Sequence, residues 1–243
     1  MNNPIKIPPK KRKLVIFGTE DFADIAYEYF TWDSDYEVVA FTLDRNYLND
    51  TVKMGIPVLA FDELKNIFPP GEVDVFVAVV YGRMNRFRAE TCCRAKELGY
   101  NLASYVSSRA FVWHNVRIGE HCFIFEDNTV QPFVKIEDDV ILWSGNHIGH
   151  HSHIGNHCFL TSHVVVSGWV KIGDYCFIGV NSTIANNSEI GAETWVGHGA
   201  CVTGNIPPHS LVKPIQSEVK QLNEAALFRS LARISKNRSS SFS

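Results

Sequence analysis

From Val106 to Val202 an aliphatic residue recurs every six positions: Val106, Val112, Ile118, Ile124, Val130, Ile136, Leu142, Ile148, Ile154, Leu160, Val166, Ile172, Ile178, Ile184, Ile190, Val196 and Val202. No insertion interrupts the series. An α-helix repeats every 3.6 residues and a two-faced strand every two, so neither requires this spacing. A sustained hexapeptide period predicts a parallel β-helix, a solenoid in which each short strand stacks on its equivalent one coil away. Four residues after most of these positions stands a small or β-branched residue, such as Ala110, Val116, Cys122, Val134, Val164 or Ser182, which suits a narrow interior corner; Asn128 and Asn146 are the exceptions. Gly119, Gly149, Gly155, Gly173, Gly179, Gly191 and Gly197 directly follow the aliphatic residue. There the pattern predicts a tight turn or a positive φ.

Ahead of the repeat the pattern changes. Apolar runs at Leu14–Phe17, 37–43, 56–58 and 73–80 alternate with helix-like stretches at 21–30, 62–67 and 84–98. Such alternation predicts an α/β domain with a small parallel, Rossmann-like sheet, whose ligands bind at the carboxyl ends of the strands. Those ends carry Gly18, Asp44 with Arg45, and Tyr81, the candidate substrate-binding residues. The segment 18–23 lacks the glycines of a dinucleotide fingerprint, and Glu20 and Asp21 oppose a pyrophosphate there, which argues against NAD. A nucleotide-sugar held through base and ribose stays open, with Asp44 as acceptor; so does Asp44 as a turn cap. The expected organisation is a flexible extension over 1–12, the α/β domain over 13–104, the solenoid over 105–213, and a C-terminal segment over 214–243. That last segment holds a short amphipathic helix at 217–234 that covers the open end of the coils, then a polar tail.

Composition narrows the classes. A net charge of −3 gives no basic surface for nucleic acid, and no apolar run is long enough for a bilayer, so neither nucleic acid nor membrane is an expected partner. The first thirteen residues are polar and basic, without the apolar core of a signal peptide. Of the six cysteines, Cys122, Cys158 and Cys176 fall in the small interior slot. Reduced, buried thiols predict a cytoplasmic location.

Six of the ten histidines cluster at His147, His150, His151, His153, His157 and His163. The spacing matches no zinc pattern and no carboxylate is adjacent, so no metal is expected. Surface corners of a β-helix accept any polar residue, and a neutral imidazole near pH 7 is also what general-base catalysis requires. If three repeats make one coil, residues eighteen apart stack. His150 then lies between Pro132 and Gly168, which leaves room for a substrate arm. His157 falls in a polar column with His121, Asp139, Tyr175 and Glu193, which reads as a surface ladder.

Ile118–Phe123 and Ile172–Phe177, each an aliphatic residue followed by Gly with a cysteine four positions on, resemble the hexapeptide-repeat acyltransferases. An α/β domain followed directly by such coils resembles in particular the sugar acyltransferases related to sialic acid O-acetyltransferase and to N-acetyltransferases of nucleotide-linked amino sugars. The resemblance implies a left-handed β-helix, a homotrimer, and acetyl-coenzyme A as co-substrate. In Ile148-Gly149-His150-His151-Ser152-His153-Ile154-Gly155 the family's catalytic histidine falls at His150, and its carboxylate partner is replaced by His151. A second family histidine would fall at Phe159. Gly168, Val180 and His198 match backbone contacts to the coenzyme. The function so implied is acetyl transfer to the amino group of a nucleotide-linked amino sugar. O-acetylation of a sialic-acid-like sugar, a zinc β-helix protein and a non-catalytic scaffold remain as alternatives.

Overall fold

The computed structural model describes residues 7–214 and, beyond them, residues 216, 217, 221, 223, 224, 226, 228 and 229. The helix expected at 217–234 and the polar tail lie largely outside the described residues. The α/β domain runs β1 (Arg12–Phe17), α1 (Asp21–Asp33), β2 (Tyr36–Leu43), a 3-10 turn at Arg45–Tyr47, β3 (Val52–Lys53), β4 (Ile56–Ala60), α2 (Leu64–Ile67), β5 (Asp74–Val77) and α3 (Arg86–Glu97). Its sheet has the order β3-β4-β2-β1-β5. β1, β2, β4 and β5 are parallel, as expected, but β3 pairs antiparallel with β4. The cause is the Met54–Gly55 turn, in which both residues take positive φ and close a two-residue hairpin. Residues 7–11 do not simply trail in solvent. Lys10 Nζ donates to the carbonyls of Phe30, Thr31 and Ser34 at the C-terminal end of α1, where a cation is favoured.

From Tyr105 the chain winds as a left-handed β-helix of triangular section. Face I is built from Tyr105–Val106, Phe123–Ile124, Ile141–Leu142, Phe159–Leu160, Phe177–Ile178, Trp195–Val196 and Leu211–Val212. Face II holds Phe111–Val112, Thr129–Val130, His147–Ile148, Val165–Val166, Thr183–Ile184 and Cys201–Val202. Face III holds Arg117–Ile118, Lys135–Ile136, His153–Ile154, Lys171–Ile172 and Glu189–Ile190. Every pairing up to Cys201–Val202 has a register of eighteen residues, shortened to sixteen where Trp195–Val196 meets Leu211–Val212, and from Val112 onward the second residue of each pair joins the interior column with Cys122, Cys158, Cys176 and the valines of the small slot. The repeat admits no protruding loop between 106 and 202.

The glycines after the aliphatic positions serve a different purpose from the one expected. None of the seven has positive φ; the left-handed residues come two positions later, at His121, Asp127, Phe133, Asp139, His151, His157, His163 and onward. What forbids a side chain at Gly149 is the next coil: a Cβ there would meet Ser167 C at 2.5 Å and Gly168 N at 2.7 Å.

Face I carries the α/β domain. Its outward residues Phe123, Ile141, Phe159 and Phe177 are buried in one cluster with Phe22 and Phe30 of α1 and Phe76 of β5. Phe30 meets Phe76 at 5.2 Å and Phe123 at 5.7 Å edge to face, the geometry aromatic quadrupoles favour. The two domains thus share a core. Among the described residues no helix is long and apolar enough to cross a membrane.

Candidate active site

His150 and His151 lie in the turn Gly149–Ser152, on the corner that joins face II to face III. His150 is exposed, with its N–H donated to Gln131 Oε1 at 2.9 Å. Its ring lies over Gly168, where a Cβ would come within 2.7 Å of Cε1. The space expected for a substrate arm above that glycine is therefore filled by the His150 ring itself. His163 fills the equivalent space over Gly145. His150 Nδ1 lies 3.1 Å from His151 Nδ1. The His151 ring is stacked between Phe133, at 4.6 Å, and Trp169, at 4.2 Å and 11°.

The expected coenzyme contacts are placed on two corners. Gly168 stands one coil from His150, but its N–H is donated to Asn186 Oδ1 at 2.8 Å, so it is not a free oxyanion donor in this state. Val180 and His198 lie on the corner joining face I to face II and are bonded to each other, Val180 N–H to His198 Nδ1 at 3.2 Å. Phe159, at the position of the second family histidine, is buried against Phe177 and Tyr81.

At the strand ends of the α/β domain a cleft of about 900 Å³ is lined by Gly18, Thr19, Glu20, Asp44, Tyr47, Asn49, Lys53, Gly82 and Arg83, among others. Gly18, at φ +121, is needed there because a Cβ would sit 2.8 Å from the Ala78 carbonyl oxygen. Two of the four predicted substrate residues, Gly18 and Asp44, line this cleft and two do not. Arg45 turns to Asp62 and Glu63. Tyr81 packs edge-on against Phe159, Phe177 and Trp195 of face I. Asp44 is no free acceptor either: Arg94 of α3 donates to both of its oxygens.

The column read as a surface ladder is instead the junction of the domains. Asp139 and His121 are buried, and Arg88 of α3 is fully buried against them. Arg88 Nε donates to Asp139 Oδ1 at 2.7 Å, and its terminal nitrogens donate to the carbonyls of Asp139 and His157 and to Asn85 Oδ1. His157 Nδ1 meets Asp139 Oδ2 at 2.9 Å, and its ring stacks on Tyr175. Burial alone would raise the Asp139 carboxyl, but Arg88 with the two imidazoles outweighs it and holds the group below the usual carboxylate range. Position in the repeat gave no sign that a helix would cover this corner. The available signal was Arg88 itself, one residue before Ala89 and four before Cys92 on the buried stripe of α3.

Cys92, His121 and Asp139 come close enough together to raise the question of a metal. The hydrogen bonds answer it. The Val77 N–H donates to His121 Nε2 at 2.8 Å, so in the neutral ring the proton is on Nδ1, directed at Asp139 Oδ1, 2.7 Å away. No lone pair of His121 remains for an ion, and burial pushes the Cys92 thiol well up, away from thiolate.

A family model for bacterial transferase hexapeptide (six repeats) matches residues 133–168 and 151–186. No curated protein sequence matches the chain. Among solved structures, PerB from Caulobacter crescentus in complex with CoA and GDP-perosamine is 24% identical with a TM-score of 0.73, the match covering 86% of this chain and 97% of that one. The acetyltransferase domain of PglB from Neisseria gonorrhoeae is 22% identical with a TM-score of 0.72, covering 84% of this chain and 100% of that one. A variant of perosamine N-acetyltransferase from Caulobacter crescentus with a histidine replaced by asparagine, in complex with CoA and GDP-perosamine, gives 22% identity and a TM-score of 0.60, covering 86% and 97%. Residues 133–186 match the bacterial transferase hexapeptide model, in a chain that has the fold of these solved structures.

Proposed function

We propose that this chain transfers an acetyl group from acetyl-coenzyme A to the amino group of a nucleotide-linked amino sugar, with His150 as general base. The observation that carries the reading is His150 itself. It is an exposed imidazole hydrogen-bonded through Nδ1, with no bond to Nε2 among the described residues. It stands on a fold shared with proteins solved with CoA and GDP-perosamine. The sugar amine attacks the thioester carbonyl carbon, its proton passes to His150 Nε2, and the C–S bond of the tetrahedral intermediate breaks. The proton on the imidazolium then goes to the departing thiolate. Gly168 N–H stabilises the oxyanion once Asn186 swings away, a contribution realised only as charge develops.

The triangular section bears on assembly. His150 is on the corner between faces II and III, whereas the α/β domain rides on face I, opposite that corner. One chain therefore holds its cleft and its base on opposite sides of the prism. A homotrimer brings the Gly18–Asp44 cleft and the Val180–His198 corner of one chain to the His150 of the next, with the coenzyme in the groove between the two solenoids.

The test is turnover with acetyl-coenzyme A and nucleotide-linked amino sugars, followed by thiol release, with coenzyme binding measured by calorimetry. His150→Ala is expected to lower kcat about 10²–10⁴-fold, the usual worth of a general base, and to leave coenzyme affinity unchanged. A wild-type chain that binds no coenzyme A, or a His150→Ala variant that keeps wild-type turnover, overturns the reading.

A further inference from the structure

The corner that carries His150 contains no acid in any of its coils: its turns read Trp113-His114-Asn115-Val116, Gln131-Pro132-Phe133-Val134, Gly149-His150-His151-Ser152, Ser167-Gly168-Trp169-Val170 and Ala185-Asn186-Asn187-Ser188. Neither His150 nor His151 has an ion pair among the described residues. The charged and titratable neighbours are His114 in the same column, His147 on face II, and Lys135, His153 and Lys171 on face III; His153 is itself held by Glu137 at 2.6 Å. An imidazole that must leave Nε2 open for a proton has to keep its own proton on Nδ1. That is the less favoured tautomer of a free ring, and it needs an acceptor at Nδ1 to hold it. Among the described residues the one acceptor at that atom is His151 Nδ1, at 3.1 Å.

We infer that His151 is the positioning residue of the proposed base: it accepts the His150 Nδ1–H, and the stack of Phe133 and Trp169 fixes its ring for that task. This rests on the acetyl-transfer reading. A lone exposed imidazole turns freely about its side-chain bonds and could as easily donate as accept. Here the His151 ring is sandwiched between two aromatic faces, at 4.6 Å and 4.2 Å, on a residue whose φ of +58° is set by the repeat. The rings of Phe133 and Trp169 are themselves largely exposed, so burial of apolar surface in this chain does not account for them. When His150 takes the substrate proton, the new imidazolium donates a charge-assisted N–H···N bond to His151, and charge spread toward His151 lies between two π faces that favour it. The pair is neutral before the proton arrives and carries one positive charge afterwards. A carboxylate at position 151 would place a negative charge beside the imidazole and raise the pH at which it becomes protonated.

Nitrogen-15 histidine spectra of the full chain, assigned with single His variants, test the inference without reference to turnover. Above the titration range His150 is expected to show a protonated Nδ1 and a bare Nε2. Trp169→Ala is expected to shift it toward the Nε2–H tautomer and lower kcat about tenfold, and Trp169→Phe, which keeps a stacking ring, should restore both. His151→Glu should restore activity relative to His151→Ala and move the acid limb of the kcat profile upward by about one pH unit or more, the sign expected for an anion beside a titrating imidazole. A wild-type spectrum with His150 as the Nε2–H tautomer overturns the inference, as does a Trp169→Ala variant with the wild-type tautomer and pH profile. Failure of the acetyl-transfer reading is recognised separately, by a His150→Ala variant that keeps turnover.

Discussion

Replacing Arg88 by Met removes a buried cation that makes four hydrogen bonds, two to the side chain and carbonyl of Asp139 and one each to Asn85 Oδ1 and the His157 carbonyl. Methionine fills much of the volume, so the loss is electrostatic: Asp139 stays buried with its charge uncompensated. Hydrogen bonds to charged groups are worth roughly 1.5–3 kcal/mol each, but four of them do not add, because the guanidinium also regains water in the unfolded chain. Breaking a buried pair from one side costs about 3–5 kcal/mol, and that is the expected loss at pH 7. The pH dependence sharpens the test. In the native protein the Asp139 carboxyl is depressed, so its contribution is present above its unfolded pKa of about 4 and is lost as the pH falls through the folded value. In Arg88→Met burial dominates and pushes the carboxyl up. The deficit is then greatest at neutral pH and shrinks as acid protonates the folded form. Urea unfolding at fixed protein concentration, followed by tryptophan fluorescence at pH 7 and pH 5, measures both. A loss below about 1 kcal/mol at pH 7, or a deficit that grows on acidification, would refute the role of Arg88 as the counter-charge.

Three further outcomes are expected. Gly149→Ala, whose Cβ would meet the backbone of Ser167 and Gly168, should cost about 1–3 kcal/mol in urea unfolding and reduce turnover by displacing His150, whereas Gly199→Ala, with nothing within 4 Å, should unsettle only its own turn. A thiol reagent at pH 8 should titrate the exposed Cys93 and Cys201 rapidly in the native protein; Cys122, whose thiol burial pushes up to about 12, and the buried Cys92, Cys158 and Cys176 should react only after denaturation. Asp44→Ala should raise the acceptor KM without altering coenzyme affinity in calorimetry; Arg94→Ala, which frees Asp44 from its ion pair, separates loss of a substrate contact from loss of the tie to α3.

The solenoid was legible because its period is a covalent fact: six residues make one side of the triangle, and every coil up to Val202 obeys the same register. The stacking of His150 over Gly168 was legible for the same reason. The α/β strands were legible as apolar runs, although the β3 hairpin was not, since Met54–Gly55 is a weak turn signal in a parallel context. The main misreading concerned Asp139 and His157. A polar residue at a corner looks solvated unless one knows what covers it, and the cover comes from α3, some fifty residues earlier for Asp139. His157→Ala should weaken the domain junction, because it removes one of the groups bonded to Asp139. A clue to the covered face was present in the outward residues Tyr105, Phe123, Ile141, Phe159, Phe177 and Trp195, which are aromatic or aliphatic in every coil, where face II mixes Phe111, Val165 and Cys201 with Thr and His and face III carries Arg, Lys, His and Glu. Reading the outward column of each face, and not the inward one alone, would have pointed to the side on which the first domain lies.

The eighteen-residue register also makes the molecule a ruler with fixed graduations. Adjacent strands in a sheet lie about 4.7–4.9 Å apart, so heights along the axis change only in steps of that size. The interval between His150 and the Val180–His198 corner can therefore be altered, with every later face kept in place, only by duplicating or deleting a full turn of the screw. Removing six residues would not shorten that interval slightly; it would rotate every later face by a third of a revolution and carry His198 to the wrong side of the prism. A coil added between them would suit a coenzyme arm one graduation longer, which ties the length of ligand such a scaffold can serve to a count of turns.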